Sequence, residues 1–297
     1  VKILVLGAAG MMGHMACRVL SENHQVTGTI RGEWAPDAPL GHLVARDRIL
    51  DGVDVLDPVG LDRAIASTEP DVVLNCVGIV KQLAAAKDAI ASIECNSLLP
   101  HRLAVVCREN GARLVHLSTD CVFSGREGGY GLDAIPDPVD LYGRSKLLGE
   151  TSVEEGLTIR TSIVGRQLSG ASSFFEWILS NRGGRVRGFE KAIYTGLTTM
   201  ALSRLIERVL VEQPSLSGVW QVASAPVTKL DLIRRLDALL GLGLEIEPDT
   251  DFECDRSLDG TGFEAVTGLR VPSWDAMLAD FAADQGAYAW RDGGQLA

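Results

Sequence analysis

Short apolar runs alternate with segments of helical period through the first half of the chain. Lys2–Leu6 (KILVL) reads as a buried strand, Met11–Glu22 as the helix after it, and Val26–Ile30 as a second strand. Gly52–Val55 reads as a third strand, Leu61–Ser67 as the following helix, and Val72–Val77 as a fourth strand. A long helical stretch over 84–110 is expected to bend at Pro100, whose ring clashes with the preceding turn. Leu114–Leu117, Tyr142–Glu154 and Thr158–Arg160 continue as strand, helix and strand. Such alternation predicts a parallel sheet with helices on both faces. Right-handed crossovers then make the fold class α/β, a doubly wound parallel sheet of Rossmann type.

Two segments interrupt the rhythm. Arg31–Arg46 carries Pro36, Pro39 and Gly41 and reads as a loop, and Ser124–Val139, rich in Gly, Asp and Pro, reads as a mobile loop over a site. Beyond Arg160 the pattern becomes irregular. Helices are expected at Phe174–Ser180, Thr198–Glu212, Thr228–Leu240 and Trp274–Asp284, with one strand at Val219–Ala223. The division expected is 1–164 as a Rossmann domain and 165–297 as a smaller, partly interleaved α+β lobe, with strand 219–223 rejoining the first sheet. The polar, Gly-containing stretch 285–297 is expected to fray.

Composition narrows the function. The 297 residues are 46% hydrophobic and 23% charged, the balance of a soluble globule, and the formal net charge is −11. That sign argues against nucleic acid or an anionic membrane as main partner. No apolar run is long enough to span a bilayer, and no leader pattern is read. The six cysteines occur singly, without C-x-x-C spacing, so neither a metal site nor a disulfide framework is expected. Buried, reduced thiols in a cytoplasmic protein fit that usage.

Several motifs fall at the ends of expected strands. Gly7-Ala-Ala-Gly10-Met11-Met12-Gly13 lies between the first strand and first helix, where backbone N–H groups can cradle a pyrophosphate. Arg31 stands where an NAD-type fingerprint has a carboxylate, and favours the 2′-phosphate of NADP(H); Glu33 nearby leaves NADH as the alternative. Asp54-Val55 is placed to grip an adenine. Asn75-Cys76-Val77-Gly78 ends the fourth strand at the carboxyl edge, where ligands sit in such folds. Asn96 is either a structural amide or an anchor for a relay water. Ser118-Thr119-Asp120 offers a hydroxyl to a substrate carbonyl or caps a turn. Tyr142 and Lys146, four apart on one helix face, pair a phenol with a cation that would lower its pKa.

Taken together, these residues resemble the extended short-chain dehydrogenases/reductases. Ser118-Thr-Asp-Cys-Val-Phe-Ser-Gly125, Pro138-Val-Asp-Leu-Tyr-Gly-Arg-Ser-Lys146-Leu-Leu-Gly-Glu150, Ile159-Arg-Thr-Ser162 and Arg256-Ser-Leu-Asp259 resemble the dTDP-4-dehydrorhamnose reductase family. The resemblance implies NADPH in the first lobe and a nucleotide-linked 4-keto sugar between the lobes. It implies Thr119, Tyr142 and Lys146 as the catalytic triad, and a substrate site around Lys81, Asp120, Cys121, Arg160 and Ser162. A homodimer is the common family state. Cys121 and Ile163 stand where the family has aromatics, and the loop after Gly78, with Lys81 and Gln82, differs from the family pattern. Related sugar-nucleotide epimerases, and an NADP-binding regulatory subunit such as that of methionine adenosyltransferase, are the alternatives that the same resemblance leaves open.

Overall fold

The computed structural model describes residues 1–35, 37–81, 87–151 and 156–292. Residues 84–86 and 152–154 of the expected helices, Gln82 in the loop after Gly78, and 293–297 of the expected frayed end lie outside the described residues.

Seven strands form one parallel sheet in the order β10-β6-β5-β4-β1-β2-β3. They are β1 (Lys2–Leu6), β2 (Gln25–Thr29), β3 (Ile49–Leu50), β4 (Val72–Asn75), β5 (Arg113–Leu117), β6 (Leu157–Arg160) and β10 (Gly218–Gln221). The strand order reverses between β1 and β4, and in such sheets a crevice opens there at the carboxyl ends of the strands. Alternate residues of β1 face two cores. Ile3 and Val5 join a large core that runs on through Leu202, Phe263 and Met277. Leu4 and Leu6 join a smaller one with Leu61, Ile65 and Leu103. The large core crosses residue 164/165, so the C-terminal half is packed into the same interior as β1.

Helices cover both faces. α1 (Met11–Leu20) follows β1, and α2 (Pro58–Thr68) starts at Asp57, whose carboxylate accepts the Val59 and Gly60 amides with Pro58 in the first turn. α3 (Ala89–Ser92), a π-helical turn (Ile93–Leu98) and α4 (Leu99–Glu109) run on as one rod. The irregularity expected at Pro100 is this π turn, just before the proline. α5 (Leu141–Leu148) is capped by Asp140, which accepts the Gly143 amide at 2.8 Å. Among the described residues no helix is long and apolar enough to cross a membrane.

The third strand departs from expectation. β3 is Ile49–Leu50; Gly52, at φ +69°, ends the ladder there, and beyond it the Val53 amide still bonds the Ile30 carbonyl at 3.0 Å. The second half also holds more strands than its pattern showed. β7 (Ile163–Val164) pairs with β9 (Leu197–Thr198), while β8 (Arg185–Tyr194) lies between β11 (Val227–Thr228) and β12 (Glu245–Asp255). α6 (Phe174–Ser180), α7 (Thr199–Glu212), α8 (Lys229–Leu240), α9 (Thr261–Thr267) and α10 (Trp274–Ala283) complete this half.

Two loops are better anchored than their composition suggested. In the 124–139 segment the Tyr130 hydroxyl accepts the amides of Gly125, Arg126 and Glu127, and its ring stacks on Phe123 at 4.2 Å. The Tyr130 amide also bonds the Ser257 carbonyl. The stretch expected to fray instead continues into α11 (Ala289–Asp292), with Tyr288 fully buried and bonded to His14 at 2.7 Å.

Candidate active site

At the crevice, the β1–α1 turn has no room for side chains. Gly7 takes φ +84°, and a Cβ added to Gly13 would stand 2.1 Å from the Gly7 carbonyl oxygen. Gly10, at the N-cap of α1, makes no side-chain cap bond, so the first amides of α1 are offered to the crevice. Met11 is half-buried and Met12 lies in the large core, so Met12 can serve a ligand only through its backbone. Arg31 is exposed just past β2, and Asp54 accepts the Leu56 amide at 3.0 Å beside the half-buried Val55. This turn fits a pyrophosphate, with a cation at hand beyond β2.

Across the crevice, β4 ends in Asn75, buried and bonded to the Val77 amide at 3.1 Å. Cys76, Val77 and Gly78 follow at partial exposure. Asn96, in the π turn, holds the Ile79 backbone at both ends, accepting its N–H at 2.8 Å and donating to its carbonyl at 2.9 Å. It also bonds Ser145 of α5 at 3.1 Å. Asn96 is therefore a structural amide that ties the post-β4 loop to the helix of Tyr142.

Past β5, Thr119, Asp120 and Tyr142 come together. Thr119 Oγ1 accepts the Cys121 amide and donates to Asp120 Oδ1, both at 3.1 Å, and lies within hydrogen-bonding reach of the Tyr142 phenol. Burial pushes that phenol above its ordinary pKa, with Cys121, Asp120 and Asp140 adding to the rise and Thr119 opposing it. Burial also raises Asp120, against Arg256 and the side chains of Thr119, Cys121 and Ser162. The Cys121 thiol is pushed up to about 12, chiefly by burial.

Lys146 corrects one expectation. Its ammonium was expected to lower the Tyr142 pKa, but Nζ donates to the Leu117 carbonyl at 2.6 Å and meets His116 at 3.2 Å. Burial lowers Lys146 itself to about 8. Two other expected roles change. Arg160 engages Glu150 with Nε and Nη2, at 2.8 and 2.7 Å, both side chains nearly buried, and Ser118 donates to the same carboxylate. Its guanidinium is thus held in an internal ion pair. Lys81 bridges to Asp140 at 2.7 Å, closing over the start of α5. Ser162 sits between Asp120 and Tyr194.

The motif reading passed over Tyr194, and it quoted Arg256 only as part of a family match. Arg256 Nε donates to the Phe123 carbonyl at 2.9 Å and the guanidinium faces Asp120, Cys121 and Asp140. Both come from strands or loops that carried no pattern signal. His116, the middle residue of Val115-His116-Leu117, was read only as strand.

The sheet order, glycine turn and paired Tyr142 and Lys146 on α5 define an extended short-chain dehydrogenase/reductase. The chain belongs to the RmlD substrate binding domain family, whose pattern matches residues 1–182. Over 94% of its length it is 29% identical to a probable low-salt glycan biosynthesis reductase of Haloferax volcanii, covering 96% of that protein. It is 35% identical to dTDP-4-dehydrorhamnose reductase of Burkholderia thailandensis over 55% of this chain and 50% of that one. The fold is similar to that of dTDP-4-dehydrorhamnose reductase of Bacillus anthracis in complex with NADP, with a TM-score of 0.78, 20% identity, and coverage of 95% and 99%.

Proposed function

We propose that this protein is an NADPH-dependent reductase of a nucleotide-linked 4-keto-6-deoxysugar, similar to dTDP-4-dehydrorhamnose reductase and giving a dTDP-L-rhamnose-type product. The observation that carries this reading is the Tyr142 phenol set against Thr119 at the carboxyl edge of the sheet, where burial holds its pKa above the ordinary value. Family membership and the reductases among its relatives support the reaction class.

The residues that would hold the coenzyme are Gly7, Gly10, Met11, Met12 and Gly13 at the pyrophosphate, Arg31 at the 2′-phosphate, and Asp54 and Val55 at the adenine. Asn75 to Gly78, Tyr142 and Lys146 complete that set. Bound there, NADPH supplies a hydride to the sugar's carbonyl carbon. Tyr142 gives its proton to the carbonyl oxygen as charge develops on it. Thr119 turns its hydroxyl from Asp120 toward the same oxygen and stabilises that charge. The chain thus supplies one proton while C=O becomes CH–OH. Asp120 and Cys121, beside the phenol, and Ser162, against Asp120, are assigned to the sugar; Lys81 guards the rim, and Arg160 supports the wall through Glu150. A cytoplasmic location, with which six free cysteines agree, and a homodimer complete the reading.

Incubation with dTDP-4-dehydrorhamnose and NADPH tests this. Stoichiometric coenzyme oxidation and a 4-hydroxy-6-deoxysugar nucleotide, identified by NMR, are expected. Equilibration of sugar epimers without net oxidation would replace the reductase with an epimerase.

A further inference from the structure

Asn75, His116 and Lys146 form a hydrogen-bonded line across β4, β5 and α5, with 1%, 0% and 4% of their surfaces exposed. Asn75 Nδ2 stands 3.1 Å from His116 Nδ1, and His116 Nε2 stands 3.2 Å from Lys146 Nζ. The far end is the bond from Nζ to the Leu117 carbonyl.

The direction of each bond follows from its ends. The Val77 N–H can only donate, and it donates to Asn75 Oδ1. That turns Asn75 Nδ2 toward the imidazole, so His116 Nδ1 must accept. A neutral imidazole that accepts at Nδ1 carries its proton on Nε2, and that proton points at Lys146 Nζ. An ammonium has no lone pair to receive it. An amine has one, and keeps protons to give to Leu117. Every arrangement with a charged Lys146 sets two donors face to face, at Nζ, at Nδ1, or, after an amide flip, at Val77.

We propose that His116, locked by Asn75 as its Nε2–H tautomer, stabilises the amine form of Lys146 and makes this lysine a proton carrier near neutral pH. His116 is then a positioning residue acting through Lys146. The surroundings agree in sign. Burial lowers Lys146, against opposing pulls from Cys95 in the π turn and Glu150 beyond α5. Burial, chiefly, keeps His116 neutral.

The catalytic consequence, a lysine that exchanges a proton instead of holding a fixed charge, rests on the reductase reading. The protonation state does not, and it is measured on the protein alone, so the two can fail separately. With only six lysines and five histidines in the chain, both are open to NMR. The 15N spectrum of the histidine side chains should show His116 protonated on Nε2; an Nδ1–H tautomer overturns the proposal. The 13Cε signal lost in Lys146→Met should titrate at or below about 8 in the otherwise unaltered protein. In His116→Leu it should titrate about one pH unit higher, a tenfold change. Leucine is the more apolar neighbour and by packing alone would move the lysine lower, so an unchanged or lowered midpoint overturns the proposal. Asn75→Asp, which accepts from Nδ1 and reverses the line, should also raise it and switch the tautomer; if it does neither, the proposal fails even should His116→Leu not fold.

Discussion

Gly13 lies against Gly7 so closely that a Cβ on it would stand 2.1 Å from the Gly7 carbonyl oxygen and 2.7 Å from its carbonyl carbon. Neither atom belongs to a flexible side chain, so relief requires β1 and α1 to move apart. Gly13→Ala should therefore cost at least about 1–3 kcal/mol, as overpacking does. Thermal unfolding should show it as a loss of roughly 2–4 °C per kcal/mol, and NADPH binding, followed by fluorescence, should weaken in parallel. An unchanged midpoint would mean that the turn is looser than described.

The pair formed by Arg160 and Glu150 is buried and bidentate. Arg160→Leu leaves the carboxylate unpaired in the interior, at a cost of about 3–5 kcal/mol. Urea denaturation should register that loss. A change below about 1 kcal/mol would return Arg160 to the role of a substrate ligand with no structural part.

His14 gives a pH dependence of defined sign. Its Nδ1–H donates to the Gly10 carbonyl and its Nε2 receives the Tyr288 hydroxyl, an arrangement for the neutral ring. Burial, chiefly, lowers its pKa from 6.5 to about 4. The unfolded chain therefore binds the proton first as pH falls. Stability from this group is complete above pH 6.5 and is lost as the pH drops toward 4, by on the order of 3 kcal/mol. Urea midpoints across that window should fall, and His14→Gln should flatten the fall.

Arg31, exposed beyond β2, tests coenzyme choice. Arg31→Ala should raise KM for NADPH about tenfold, the scale of one charge-assisted contact, and leave KM for NADH unchanged. Equal changes for both coenzymes would remove Arg31 from the 2′-phosphate.

The parallel sheet was legible because strands buried on both faces read as apolar runs, as in Lys2–Leu6 and Val72–Asn75. The strands β8 and β12 were not. Arg185, Arg187 and Lys191 pair across to Glu245, Glu247, Asp249 and Glu253, and Pro248 sits within β12, so charge masks the alternation. The end of the chain misled for a different reason. Tyr288 is buried by His14, Arg18 and Arg166, partners far away in sequence that no local pattern reveals. The same limit applies at the site. Spacing identified Tyr142 and Lys146 as a pair on one helix, but only the fold shows that the lysine's nitrogen meets His116, thirty residues back.

The most direct test of the central claim compares the protein with its Tyr142→Phe variant in the oxidation of NADPH by dTDP-4-dehydrorhamnose, with NADPH affinity measured alongside. Loss of the acid should lower kcat by about 10²–10⁴-fold while NADPH still binds. Equal turnover in both proteins would contradict the assignment of Tyr142 as the proton donor, and no turnover in either would withdraw the rhamnose-type substrate.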